Sequence, residues 1–213
     1  MQRVKRNIKW IIVGFAVIIF LIILISVSSE NIVNFDNNIY YIVKSFQNEG
    51  LTNLLRIITN FGGIVSLFFI TIFVSMLLFY YNKRKYALML VISMLVSSTT
   101  YIILKGIVKR PRPIETEMLI PEFGYSFPSG HTTNNTVFYG IMIYIIYKNV
   151  ESKTLRNVLI ALCNLMIITI SFSRIYLRVH YPSDVFAGLC LGIVLVIILI
   201  KIATNKIKSF ERN

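Results

Sequence analysis

Long uninterrupted apolar blocks narrow what this chain can fold into more than any other feature. Residues 10–28 carry no charge, and a helix needs about 17–25 mostly apolar residues to cross a bilayer. Comparable blocks follow at 61–81, 86–104, 132–147 (opening on the polar turn Thr132-Thr133-Asn134-Asn135), 158–176 and 184–203. The composition agrees: 56% of the 213 residues are hydrophobic and the mean hydropathy is +0.72, more apolar surface than a soluble domain of this size can bury. Backbone groups inside hydrocarbon must be satisfied within their own segment. The sequence therefore predicts an all-α, polytopic membrane bundle of six transmembrane helices. No repeat, low-complexity tract or linker divides it, so residues 1–213 read as one domain.

The first block has the basic start of a signal peptide, and Ser26-Val27-Ser28 resembles a cleavage site. Its apolar run exceeds the usual 7–15 residues of a signal core, so it reads as an uncleaved anchor. Orientation follows from lysine and arginine. Arg3, Lys5, Arg6 and Lys9, then Lys83, Arg84 and Lys85, then Lys148, Lys153 and Arg156, then Lys201, Lys206, Lys208 and Arg212 fall on one side of the six-helix layout. That side, with both termini, is predicted to be cytoplasmic. A formal net charge of +13 would suggest nucleic acid in a soluble protein. Here the cations lie between apolar blocks, and topology accounts for most of them, so no nucleic-acid partner is expected. Cys163 and Cys190 sit inside apolar runs, where cysteine behaves as a small hydrophobe.

Eight cations remain on the outer side. Lys44 and Arg56 belong to the connection 29–60, where Ile39, Tyr40, Ile42, Val43 and Phe46 suggest a short helix lying along the membrane surface. Lys105, Lys109, Arg110, Arg112, Arg174 and Arg178 run against the orientation preference, which suggests another use for them. At the same level lie both histidines of the chain, His131 and His180, together with Asp184. Three stretches distant in sequence, 105–113, 128–131 and 173–184, are thereby predicted to converge at one end of the bundle.

A phosphate ester would find its needs met there. Lys105, Arg112 and Arg174 supply fixed cations for its oxygens. The start of the fourth helix supplies free amides and a positive dipole end, with Ser129 and Gly130 letting an anion approach. His180 and Asp184 are four residues apart, with Pro182 at the favoured first position of the sixth helix. A carboxylate on one ring nitrogen fixes the tautomer and leaves the other free to attack phosphorus. His131, from a separate segment, can protonate the departing oxygen. Lys109, Arg110 and Arg178 read instead as contacts to lipid headgroups or solvent, and Tyr125, Tyr176 and Tyr181 as interfacial aromatics. Asn134 and Asn135 either hydrate the helix entrance or pack inside the bundle.

These residues stand in order: Lys105, six residues, Arg112-Pro113; Pro128-Ser129-Gly130-His131; Ser173-Arg174, five residues, His180, three residues, Asp184. The pattern resembles the complete three-part signature of the type 2 phosphatidic acid phosphatase family, related to vanadium-dependent haloperoxidases. The resemblance implies a membrane lipid phosphatase in which His180 forms a phosphohistidine, Asp184 orients it and His131 is the acid. It also implies that Lys105, Arg112, Ser129, Gly130 and Arg174 bind phosphate, with no metal or other cofactor. The implied partners are membrane lipids, with phosphatidylglycerophosphate or undecaprenyl pyrophosphate as substrate at the extracytoplasmic face; a phosphatidic acid phosphatase of broad specificity is the alternative. Two other classes remain in view. A non-enzymatic transporter of anionic lipid would place its charges nearer mid-membrane, and a haloperoxidase would not need six spanning helices.

Overall fold

The computed structural model describes residues 2–29 and 31–210. Arg212, counted above with the cytoplasmic cations, lies outside them, as do the side chains of Arg3, Lys5, Arg6, Lys206 and Lys208. The described residues are helical, without strands: α1 (Gln2–Ser28), α2 (Val33–Lys44), α3 (Glu49–Phe61), α4 (Ile64–Tyr80), α5 (Arg84–Val108), α6 (Gly130–Asn149), α7 (Lys153–Tyr176) and α8 (Pro182–Phe210), with a 3₁₀ turn at Glu115–Glu117. The all-helical expectation holds, while the number of spans is less clear-cut than six. Four helical stretches are individually long and apolar enough to cross a membrane, Asn7–Ser28, Arg84–Val108, Lys153–Tyr176 and Pro182–Asn205, and the pair α3–α4, bent by 52°, would make a fifth. The connection before α4 holds two helices, α2 and α3, where one was expected.

α6 falls short on composition because it is the interior helix, packed against α5, α7 and α8. A helix surrounded by protein need not be apolar; it needs its polar groups paired. Asn134 Oδ1 accepts from Ser97 Oγ at 2.7 Å, and its Nδ2 donates to Ser98 Oγ at 3.1 Å. Asn135 Nδ2 donates to the carbonyls of Gly62 and His131 at 3.1 and 2.7 Å. Of the two readings of these asparagines, packing inside the bundle is the one observed. One turn further on, α6 changes character. Val137, Phe138, Ile141 and Ile145 join Leu67, Met89, Leu90 and Met94 in an apolar cluster.

The α6–α8 crossing is close because two glycines on α8 lie one turn apart. A Cβ on Gly188 would sit 2.9 Å from the Ser129 carbonyl oxygen, and one on Gly192 would sit 2.5 Å from Thr136 Cβ. In lipid, where helices gain little from burying apolar surface, such small residues allow the backbone approach that packing requires. The outer faces, with Ile11, Phe15, Phe68, Phe69, Phe73, Leu95 and Ile103 exposed, are apolar as a lipid-facing surface must be. At one end α2 and α3 lie over α7 and α8. There Val43 and Leu55 pack on Tyr176, Leu177, Val179 and Val185, pinning the connection that carries His180. Tyr176 is fully buried, its hydroxyl bonded to the Asn48 N–H at 3.1 Å; it is an anchor between α3 and α7, and the interfacial reading of it is corrected.

Candidate active site

The connection from α7 to α8 is short and heavily bonded. Arg178 adopts a left-handed backbone (φ 58°), a common way to end a helix. The N–H groups of Val179 and His180 turn back to the Arg174 carbonyl at 3.2 and 3.3 Å. Pro182 then opens α8, placing Asp184 in its first turn, where the helix dipole favours a carboxylate. The two residues therefore face each other: His180 Nδ1 lies 3.4 Å from Asp184 Oδ2. On the far side of the ring Arg112 Nη1 lies 3.3 Å from His180 Nε2. An arginine can only donate, so Nε2 accepts and Nδ1 carries the proton toward Asp184. Burial, and then the cations Lys105, Arg112 and Arg174, hold the His180 pKa well below its ordinary 6.5, so the ring is neutral near pH 7.

Nε2 faces a cavity of about 200 Å³ lined by Lys105, Arg112, Gly130, His131 and His180, with Glu122 and Tyr101 on its wall. The three predicted stretches thus meet at one end of the bundle. Their side chains are not placed alike. Lys105 Nζ donates to the carbonyls of Tyr125 and Ser126, tying down the segment before α6. Arg112 holds the Gly124 carbonyl at 3.0 Å and the Val179 carbonyl at 2.6 Å. Arg174 is buried behind the cavity; it donates to Thr59 Oγ1 at 2.8 Å and to the Glu122 carboxylate, while its Nε has no partner among the described residues. Ser129 does not line the cavity. Its hydroxyl caps α6, accepting the Thr132 N–H at 3.4 Å and Thr132 Oγ1 at 3.0 Å, and its N–H donates to the Asp184 carbonyl at 3.0 Å. Gly130 does line the cavity, and a side chain there would collide with the Tyr101 ring, 2.7 Å from an added Cβ.

Four residues that sequence reasoning did not place in the site complete it. Ser126 donates to Asp184 Oδ2, which also accepts the Tyr181 N–H at 2.9 Å. Glu122 places a carboxylate among the cations, against Arg174 and 3.7 Å from Arg112 Nη2. Arg110 and Asp36 form a buried ion pair behind Asp184. The reading of two arginines as contacts to lipid headgroups or solvent is overturned: Arg110 packs over the Tyr181 ring (4.0 Å) and Arg178 over the Tyr40 ring (3.3 Å), the latter also paired with Glu117 at 3.1 Å. Lys109 alone of the three is exposed. Asp36 had left a signal, since it falls on the buried face of α2 with Tyr40 and Val43, at a spacing of four and seven residues.

Beside this cavity, and sharing Ile64 and Asn134 with it, lies an apolar cleft of about 230 Å³ between α4 and α5, walled by Leu67, Phe68, Met94 and Leu95. The arrangement couples a neutral, oriented histidine to an anion-binding cavity beside an apolar cleft, which is suited to phosphoryl transfer from an amphiphile. Comparison with known proteins agrees. The chain is 27% identical to phosphatidylglycerophosphatase B of Bacillus subtilis, over 91% of its own length and 95% of that protein's. It is 25% identical to the undecaprenyl-diphosphatase of Sulfolobus acidocaldarius, over 98% of each chain. Its fold superposes on the crystal structure of a transmembrane PAP2-type phosphatidylglycerolphosphate phosphatase from Bacillus subtilis with a TM-score of 0.84, at 25% identity, covering 93% of this chain and 98% of the other. Residues 86–208, more than half of the chain, match the family model, and the protein belongs to the PAP2 superfamily.

Proposed function

We propose that this membrane phosphatase removes the terminal phosphate of phosphatidylglycerophosphate or undecaprenyl pyrophosphate through a phosphohistidine on His180. The observation that carries the reading is His180 itself, with Nδ1 toward Asp184 and Nε2 toward Arg112, in a ring that lines a cavity with Lys105 and Arg112. The choice of lipids rests on the names of the two relatives, and the apolar cleft beside the cavity suits a substrate whose tail stays in the bilayer.

In the first step His180 Nε2 forms a bond to phosphorus as the bond from phosphorus to the lipid oxygen breaks. Lys105 and Arg112, which line the cavity, hold the phosphoryl oxygens, Arg174 adds its charge from behind them, and the substrate displaces Glu122 from the arginines. His131 delivers a proton to the departing oxygen, and a dianionic phosphate nearby favours the protonated imidazole that this requires. Asp184 stabilises the positive charge on the His180 ring. In the second step water loses a proton to His131 and attacks phosphorus, releasing inorganic phosphate and restoring His180. The positive charges that the reaction needs come from these side chains, so the reading is metal-independent. The excess of lysine and arginine at the opposite end of the bundle supports a site at the extracytoplasmic face, with both termini in the cytoplasm.

The decisive experiment is phosphate release by purified protein, in EDTA, from a panel of phosphatidylglycerophosphate, undecaprenyl pyrophosphate and phosphatidic acid. Release from at least one of the first two is expected. Release from none, or only after magnesium is added, would defeat the reading. For the topology, single cysteines at Lys109 and Lys153 in a Cys163→Ser, Cys190→Ser background should label from outside at 109 only.

A further inference from the structure

Behind Asp184 lies a second buried carboxylate on a different helix. Asp36, on α2, is 1% exposed. Its Oδ1 accepts the Ser183 N–H at 2.8 Å, and its Oδ2 accepts Ser183 Oγ and Arg110 Nη2, both at 2.7 Å. The other arm of the same guanidinium, Arg110 Nη1, donates to Asp184 Oδ1 at 2.6 Å and to Ser183 Oγ at 2.8 Å. One arginine therefore bridges two buried acids, and its planar fork is the feature that allows this. Asp184 Oδ1 is held by Arg110, while Oδ2 serves Ser126, the Tyr181 N–H and, at 3.4 Å, His180. The contact to His180 is the longest of these, so the carboxylate is aimed by its other partners.

We infer that Asp36 and Arg110 are positioning residues for hydrolysis, a buried Asp36–Arg110–Asp184 chain that sets both the orientation and the effective charge of the carboxylate serving His180. The inference rests on the reading of His180 as nucleophile. It makes α2, which the sequence presents as a surface helix, a working part of the site. Neither residue lines the phosphate cavity, so their removal should lower kcat and leave KM nearly unchanged.

The charges predict a further, signed effect. His180 is faced by Lys105 from α5, by Arg112, Ser126 and Glu122 from the loop between α5 and α6, by His131 from α6, by Arg174 from α7 and by Asp184 from α8. None of these changes in the variants below. Arg110→Gln leaves the Asp184 charge to His180 alone and favours its protonation, so the acidic limb of kcat/KM should move up by roughly half to one pH unit. Asp36→Asn leaves Arg110 to Asp184 alone, so the limb should stay or move down. Arg110→Lys keeps the charge but reaches only one carboxylate, so the limb should stay while kcat falls.

The experiment measures kcat, KM and the pH profile of phosphate release for wild type, Asp36→Asn, Arg110→Gln, Arg110→Lys and His180→Ala, each checked for monodisperse behaviour in detergent. Expected are kcat losses of about 10–100-fold for the Asp36 and Arg110 variants, by analogy with the outer partners that orient metal-bound histidines, with KM within about twofold and the limb shifts just given. If Arg110→Gln does not accumulate, the kcat and KM of Asp36→Asn and Arg110→Lys decide. Wild-type kcat in these variants, a loss confined to KM, or an upward limb shift in both Asp36→Asn and Arg110→Gln would overturn the inference. Activity in His180→Ala would instead overturn the nucleophile reading.

Discussion

The two halves of α6 hold the molecule together by different physics. Its first two turns, with Thr132, Thr133, Asn134, Asn135 and Thr136 all buried, belong to a polar end where Asp36, Arg110, Arg174, His180 and Asp184 are buried and paired. Its remaining turns, through Val137, Ile141 and Ile145, belong to an apolar cluster with Leu67 and Leu90. In the apolar half a side chain is valued for its volume, and a neighbour of similar size can replace it. In the polar half most groups are the partners of others. Removing one leaves a buried charge or donor unmatched, which costs more than the lost contact itself. The polar end is therefore expected to read out in turnover, and the apolar half in stability.

The largest effects should come from the histidine that faces the cavity. His180→Ala is expected to lose turnover on the order of 10⁵–10⁶-fold, as when a nucleophile is deleted, and Asp184→Asn about 10³–10⁴-fold, because the tautomer is no longer fixed. Near-normal phosphate release from His180→Ala would break the assignment. As the proposed nucleophile, His180 would have to be neutral to attack, and burial lowers its pKa, so activity should persist below pH 6.5 and fall only as pH drops through that lowered value.

His131→Ala should fall next, and unevenly. A general acid contributes about 10²–10⁴-fold where the leaving group is poor. The loss should therefore be greatest for a phosphatidyl monoester, smaller for an isoprenyl pyrophosphate and least for p-nitrophenyl phosphate. Equal losses in single-turnover measurements would make His131 a binder of phosphate and leave the proton unassigned.

The apolar half sharpens the comparison from the other side. Leu90, fully buried, when changed to Ala should cost about 2–5 kcal/mol, read as a lower thermal midpoint in detergent, with kcat per folded molecule unchanged. Leu90→Met should cost less than about 1.5 kcal/mol. A large loss of kcat in either would mean that the two halves are not separable.

The smallest effect should be a gain. Glu122 carries a carboxylate on Arg174 and near Arg112, where a phosphate would sit. Glu122→Gln should tighten inhibition by vanadate by about tenfold or less, because a partly exposed ion pair is worth only about 1 kcal/mol. Weaker inhibition would show that Glu122 arranges the arginines for the anion, placing it on the supporting side of the polar end.

Residue type and spacing were enough to read an all-helical membrane chain and the three stretches that meet at one end of it, but not the division of 29–60 into α2 and α3. Apolar run length is a local property, and the four-residue step from His180 to Asp184 across a helix start brings the two residues to the same side, while Ser126, the Tyr181 N–H and Arg110 aim the carboxylate. Spacing could not separate neighbours such as Lys109 and Arg110. Adjacent in sequence and alike in charge, they part at the end of α5, where Lys109 takes a left-handed turn (φ 50°) and points outward. Arg110 is turned inward, onto Asp36 and Asp184, each 74 residues away along the chain. Nor could it find Glu122 on Arg174 or Ser126 on Asp184, which are loop-to-helix contacts made only once the bundle has closed. The sequence by itself determined which segments are helical and which residues could handle a phosphate, because both depend on side-chain chemistry at short range. Only the tertiary structure decided which cation faces the cavity and which holds a carboxylate behind it. A buried charge goes wherever a distant segment supplies its partner, and that pairing exists only in the folded chain.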